Sequence, residues 1–327
     1  MESEKGISVI LLKDTEETIS DSNIPWSELK NCAVLITGAT GTIGSALVRT
    51  IVAANEKYNL NIKTYTPNIR EPFSIDGNID YIFHCAAITK SAEMVSNPVG
   101  VMAVSIDTTR NILELAKAKQ TKSVVYLSSM EIYGQNINGE VSENDLGYLD
   151  LTNPRSSYPE SKRFCETLCN AYYSQHGIPV KTARLAQTFG AGTSKDDTRI
   201  FAQFARSVIA KNDIILHTEG KSIGNYCYIS DAVRALFTLL LKGENGQAYN
   251  IANPAASMTI RETAELVAGK FGLNVKIEIP PNSQKLGYAP NSGYRLNIDK
   301  IMRLGWKPKY DLAQMYERLI LDWKERV

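Results

Sequence analysis

Three side chains and one turn in this chain have the types and spacing for redox chemistry. Tyr158 and Lys162 are four residues apart, and Ser129 closes an apolar run 29 residues before the tyrosine. A glycine-rich turn, Gly38-Ala-Thr-Gly41-Thr-Ile-Gly44, follows another apolar run near the start. On a helix, residues four apart share a face. An ammonium beside a phenol favours the phenolate, so the pair predicts a Tyr158 pKa below the usual ~10. Such a phenol gives or takes a hydroxyl proton as hydride moves to or from carbon. Ser129 is placed to hydrogen-bond the same oxygen. In the turn, Gly38 permits a sharp bend, Gly41 lets backbone approach a pyrophosphate, and Gly44 lets a helix pack on a sheet. The helix N-terminus that follows favours an anion. Together these features read as a dinucleotide site for hydride chemistry on an alcohol or ketone, with Lys162 in reach of the nicotinamide ribose.

The elements that must position these groups alternate. Ala33 to Thr37 and Ile79 to Cys85 are short apolar strands, as are Ser123 to Leu127 and Val180 to Leu185. Helical patterns run from the glycine turn to about 54, and over 101–119 and 158–174. This alternation predicts an α/β fold, a Rossmann-type doubly wound parallel sheet with helices on both faces. Residues 1–30 read as an N-terminal extension and 31–190 as the cofactor-binding domain. Residues 191–327 read as mainly a smaller C-terminal substrate lobe, interleaved with that domain and carrying helices near 198–211 and 230–242. One stretch breaks the pattern. A doubly wound sheet needs two strands and a crossover helix before the Ile79 strand, and a crossover takes a dozen or more residues. Here Asn61–Tyr65 runs at once into Thr66–Pro72. Either one strand and its helix are absent, or a flexible loop is omitted near Tyr65–Thr66; the second is the preferred expectation.

Composition narrows the class. The 327 residues are 43% hydrophobic with a net charge of +1, enough for a large core and without bulk attraction to nucleic acid or a membrane surface. No apolar run reaches the ~20 residues of a membrane helix, and the first residues carry no export pattern, so the expected location is cytoplasmic. Five cysteines without CxxC spacing suit reduced, buried thiols, Cys165 and Cys169 among them, and three dispersed histidines offer no metal site.

The combined pattern resembles the extended short-chain dehydrogenase/reductases, the NAD-dependent epimerase/dehydratase family. It rests on Thr37–Gly44, His84-Cys-Ala-Ala87, Leu127–Gly134, Tyr158-x-x-x-Lys162, Arg184–Gly190, Tyr228-Ile-Ser-Asp231 and Leu304–Pro308. The resemblance implies NAD or NADP as cofactor, a nucleotide-sugar substrate and a homodimer paired through the helices near 99–119 and 158–174. Carried over residue by residue, it implies Ser129, Tyr158 and Lys162 as the catalytic trio, joined by Glu131. It implies Gly38, Thr40, Gly41, Thr42, Ile43, Gly44, Asn68, Ile69, Ala86, Ala87, Leu127 and Leu185 beside the cofactor. Thr89, Lys90, Gln187 and Arg295 would face the substrate, and no metal is implied.

Departures shape the expected reaction. Dehydratases of the family carry Asp-Glu after the catalytic hydroxyl; here the pair is Met130-Glu131, and a methionine cannot protonate a leaving group. Glu131 matches the UDP-glucuronate decarboxylases. Gly224 stands where the family has an arginine for the diphosphate, with Lys221 as the compensating cation, and Asn68 stands where an aspartate is common near the adenine. The residue after the second strand that separates NAD from NADP falls in the disturbed stretch. The reading is hydride transfer on the sugar of a nucleotide-activated sugar, for surface (capsule) polysaccharide precursors. The first choice is keto reduction, for example to a CDP-linked sugar alcohol, or 4-epimerisation. UDP-glucuronate decarboxylation and then 4,6-dehydration follow, and a non-catalytic NAD(P)-binding protein is the alternative of another class.

Overall fold

Runs of apolar and β-branched residues become strands where both faces are covered, and the intervening 3.6-residue patterns become helices. The structure, a computed structural model, describes residues 8–69, 73–281 and 292–326. The chain forms α1 (Val9–Ile19), β1 (Ala33–Thr37), α2 (Thr42–Tyr58), β2 (Lys63–Tyr65), β3 (Tyr81–His84), α3 (Ser91–Ser96), α4 (Pro98–Lys119) and β4 (Ser123–Ser129). It continues with β5 (Asn138–Val141), α5 (Ser157–His176), β6 (Val180–Leu185), β7 (Gln187–Phe189), α6 (Ile200–Ala210), β8 (Ile214–Leu216), β9 (Ile223–Tyr228) and α7 (Ile229–Lys242). Then come β10 (Ala248–Ile251), β11 (Asn253–Thr259), α8 (Ile260–Phe271), β12 (Val275–Ile277), β13 (Gly293–Leu296), α9 (Asp299–Met302) and α10 (Leu312–Glu325).

Six strands make one parallel sheet in the order β10-β6-β4-β3-β1-β2. The inner strands β1, β3 and β6 are buried along their whole length, which is why they read as unbroken apolar runs. One face packs on α2 and α7, the other on α4 and α5. Cys165 and Cys169 lie in the second core as free thiols. Strands β10 and helix α7, both beyond residue 191, complete the main sheet and its cover. The remaining strands form a β11-β9-β7 sheet and the pairs β12-β8 and β13-β5, with β5 and β7 coming from before residue 191.

Strand β2 is the edge of the sheet and ends at Tyr65. Among the described residues no further strand pairs outside it, and the chain passes through Thr66–Ile69 toward β3 without a crossover helix. Among the described residues, the additional strand and helix of a full doubly wound sheet are not found. Residues 70–72, the rest of that stretch, lie outside the described residues, as do residues 1–7.

The N-terminal segment carries more order than its polar sequence indicates. Helix α1 packs on α2, α7 and α10. Its Asp14 is buried, accepting from Tyr228 Oη at 2.6 Å and from Arg318 Nε at 3.0 Å. Burial pushes the Asp14 carboxyl up to about 6 in spite of these partners.

Candidate active site

The strand order reverses at β1, whose neighbours are β2 and β3, and a crevice opens at the carboxyl ends of these strands. It is one continuous cleft of about 1350 Å³, lined from the main sheet and from the C-terminal lobe. At one end lies the glycine turn. Gly38 has φ of +67°, and a Cβ there would stand 2.9 Å from Ala86 N and Cα. A Cβ on Gly44 would stand 2.2 Å from Gly38 O, so only glycine lets α2 start this close to the turn. Gly41 is the N-cap of α2 and has no side-chain cap. A Cβ on Gly41 would meet only Gly38 O, at 3.3 Å, and otherwise fill the open cleft. The first-turn amides of α2 therefore face a cradle that a side chain would close, which fits a pyrophosphate. Beside it, Ala86 N donates to Thr37 Oγ1 at 3.1 Å, and His84 Nδ1 lies 2.8 Å from the same oxygen. Burial lowers His84 to about 3, so this ring is a neutral brace for the turn.

At the other end Ser129, Tyr158 and Lys162 converge. Strand β4 delivers Ser129 at its last position, and the first turn of α5 delivers Tyr158. The Ser129 hydroxyl and the Tyr158 phenol line the same part of the cleft, and Ser129 acts to lower the phenol's pKa. Lys162 Nζ donates to Leu127 O at 2.7 Å and lies 5.9 Å from the centre of the Tyr158 ring. The expected fall in the Tyr158 pKa is not found. Burial first, and then the Glu131 carboxylate, raise the phenol, Ser129, Arg199 and Arg155 only partly offset them, and it ends at about 12. Burial also lowers Lys162, to about 8. Desolvation of both groups outweighs the attraction read from their spacing.

Glu131 is held by a residue the sequence reading missed. Arg155 Nη1 and Nη2 donate to its two carboxylate oxygens at 2.8 and 3.1 Å. Arg155 is buried in the short 3-10 turn just before α5, so the pair ties the Ser129 turn to the helix that carries Tyr158. The only sequence signal was its place in Pro154-Arg155-Ser156, three residues ahead of the tyrosine. Breaking a buried pair by removing one partner leaves a charge stranded. Arg155→Met is expected to cost about 2 kcal/mol in urea unfolding, below the usual range because Glu131 keeps some solvent contact. Glu131→Gln combined with it should recover most of that loss; no recovery would show that the pair is not the cause.

Gly38, Thr40, Gly41, Thr42, Ile43, Gly44, Asn68, Ile69, Ala86, Ala87, Leu127, Leu185, Thr89, Gln187 and Glu131 all line this cleft. Lys90 and Arg295 do not. Lys90 is exposed, 3.9 Å from Glu93. Arg295 points to solvent from β13, where strand parity turns Tyr294 inward instead, its hydroxyl donating to Met130 O at 2.8 Å. Lys221 is paired with Glu219 at the surface and does not reach the cleft. A Cβ at Gly224 would lie 2.5 Å from Tyr226 Oη, so the tyrosine occupies the space an arginine side chain would enter. Arg199, also unanticipated, lines the cleft and pairs with Asp197 at 3.1 Å. Among the described residues no His, Cys, Asp and Glu cluster could hold a metal ion, and no helix is long and apolar enough to cross a membrane.

Comparison with known proteins places the chain. A family model described as the NAD dependent epimerase/dehydratase family matches residues 34–252. UDP-glucuronic acid decarboxylase 6 of Arabidopsis thaliana is 29% identical over 91% of this chain and 90% of its own length. UDP-glucuronic acid decarboxylase 1 of Danio rerio is 26% identical over 90% of this chain and 73% of its own. Among solved structures, the UDP-glucose 4-epimerase of Thermotoga maritima superposes with a TM-score of 0.75 at 20% identity, covering 90% of this chain and 99% of that one. The dTDP-glucose 4,6-dehydratase of Streptomyces venezuelae, crystallised with NAD, gives 0.75 at 21%, covering 90% and 97%. The chain belongs to the NAD-dependent epimerase/dehydratase family, and its fold is the Rossmann type of these structures.

Proposed function

We propose that this family member transfers hydride at the sugar part of a nucleotide-activated sugar, with net reduction of a keto group or 4-epimerisation as its reaction. The observation that carries the reading is the convergence of Ser129, Tyr158 and Lys162 in the same cleft as the glycine cradle. Gly38, Gly41, Gly44 and the first turn of α2 would hold the dinucleotide, which supplies or takes the hydride when bound. Tyr158 holds a proton at neutral pH, so it is set to deliver that proton to a carbonyl oxygen as carbon is reduced. Ser129 orients the oxygen, and Lys162 places positive charge behind the phenol as it becomes phenolate. Thr89 and Gln187 face the sugar. Met130 lines the cleft where a leaving-group acid would be needed, which disfavours dehydration.

Decarboxylation of a UDP-uronate is the second reading. Its support is the set of UDP-glucuronic acid decarboxylases that match about nine-tenths of the chain, together with Glu131 beside Tyr158. A cytoplasmic setting suits the free cysteines, and surface-polysaccharide precursors are the proposed products. A homodimer would pair α4 and α5, where Val99, Met102 and Phe164 are exposed. Residues 31–190 would chiefly hold the cofactor and 191–327 the substrate. The test is incubation with UDP-, dTDP-, GDP- and CDP-sugars, with and without NADH or NADPH, followed by absorbance and product mass. Stoichiometric loss of reduced cofactor marks a reductase, and unchanged mass an epimerase. Loss of carbon dioxide supports the second reading, and loss of water would overturn the argument from Met130. Cofactor binding with no turnover on any sugar would leave a non-catalytic binding protein.

A further inference from the structure

Lys162 is buried, and among the described residues its ammonium has one hydrogen-bond partner, Leu127 O at 2.7 Å, and no carboxylate paired with it. Glu166, one turn along α5, is taken by Arg184 at 2.7 Å. A buried ammonium without a counter-ion needs another source of stabilisation. Strand β4 supplies one. Alternation along the strand turns Tyr126 to the α4/α5 face of the sheet. Lys162 Nζ lies over the Tyr126 ring, 4.8 Å from its centre, closer than to the Tyr158 ring at 5.9 Å. The face of an aromatic ring attracts a cation, most strongly where water is excluded, and Tyr126 is 2% exposed. The ring has a fixed neighbour in its turn. Tyr126 stands opposite His84 of β3, whose ring lies 5.8 Å away and also braces Thr37 beside the glycine turn. None of the other titratable groups around the ammonium supplies a free negative charge. Burial keeps His84 neutral and holds Cys85, Cys169, Tyr126 and Tyr158 in their protonated forms, and Cys165 donates to Ser105 O at 3.4 Å.

We propose that Tyr126 is a positioning residue of this site: the face of its ring holds the Lys162 ammonium in place and charged, without neutralising it. A carboxylate there would also hold the lysine, but it would cancel the positive field behind the phenol and push the phenol pKa higher still. The ring does neither. The inference rests on the reading of Lys162 as a member of the catalytic trio, and its test measures the contact apart from turnover. The whole protein is made with lysine isotope-labelled at Cε, and the Lys162 signal is the one missing from Lys162→Met. Its titration is followed by NMR. Tyr126→Phe keeps the ring face, so its midpoint should stay within about 0.3 pH unit of wild type. Putting ring-trifluorinated phenylalanine at the same position keeps the shape and drains charge from the face. It should lower the midpoint by about one pH unit. Tyr126→Leu removes the ring and should lower the midpoint as far; if that variant does not fold, the fluorinated analogue still decides. A midpoint that the analogue leaves unchanged overturns the inference. A lowered midpoint, with the alkaline limb of turnover on the active sugar moving down by the same amount and the Tyr126→Phe profile unmoved, supports it. A lowered midpoint with an unmoved turnover profile supports the ring contact and overturns the part given to Lys162 in the reaction.

Discussion

Tyr158→Phe should lower turnover about 10²–10⁴-fold while leaving NADH affinity within about twofold of wild type. The change removes one oxygen and keeps the ring, which packs in a small core with Ile88, Met94 and Val101. The fold therefore loses little. Chemistry loses its proton donor, since in the proposed reaction no other group of the trio can take that role. Ser129 itself needs a partner to pass a proton on, and Lys162 is committed to Leu127 O at 2.7 Å. The pH profile gives an independent check. Tyr158, at about 12, stays protonated across the working range, whereas Lys162, at about 8, loses its charge as the pH rises. Reduction should therefore slow above about pH 8, with no acid limb from the tyrosine. Undiminished turnover in Tyr158→Phe, measured on the sugar found active in the panel, would remove this phenol from the mechanism.

How much of this was legible beforehand depends on the range of the interaction involved. The glycine turn, the strand before it and the Tyr-Lys pair are local patterns, and each lies where its spacing put it. The parallel sheet was readable because strands buried on both faces must be apolar throughout, as β1 and β3 are. The partner of Glu131 was not readable, because Arg155 is 24 residues away and only the tertiary fold brings the two turns together. Arg295 stands outside the cleft for a different reason. A strand alternates its side chains, so a one-residue offset in parity exchanges the groove-facing and solvent-facing sets, and Tyr294 takes the inner place. The Tyr158 pKa failed because sequence spacing shows the nearby charge and not the burial that opposes it. The same blindness hid Asp14, a carboxylate in a polar segment that the fold buries beneath α10.

Lys162→Met should make the protein more stable at neutral pH and nearly inactive. The lysine is 3% exposed, and burial lowers its pKa from 10.5 to about 8. Below pH 8 both the folded and unfolded chains carry the charge, and the folded state bears the full cost of desolvating it. Between pH 8 and 10.5 the unfolded chain binds more protons, so stability rises with pH; above 10.5 both forms are neutral and the cost is gone. At 1.36 kcal/mol per pKa unit, that cost is about 3 kcal/mol at pH 7. Methionine fills similar space without charge, and loses the bond to Leu127 O, worth about 1 kcal/mol. The net expectation is a gain of about 2 kcal/mol at pH 7, shrinking toward zero by about pH 10, read from urea unfolding at the two pH values. A methionine variant less stable than wild type at pH 7 would mean that the ammonium is solvated or paired by something other than Leu127, and the lysine would then not be the strained group this site keeps for its chemistry. A gain in stability accompanied by loss of turnover is the pattern of a residue retained at the expense of the fold.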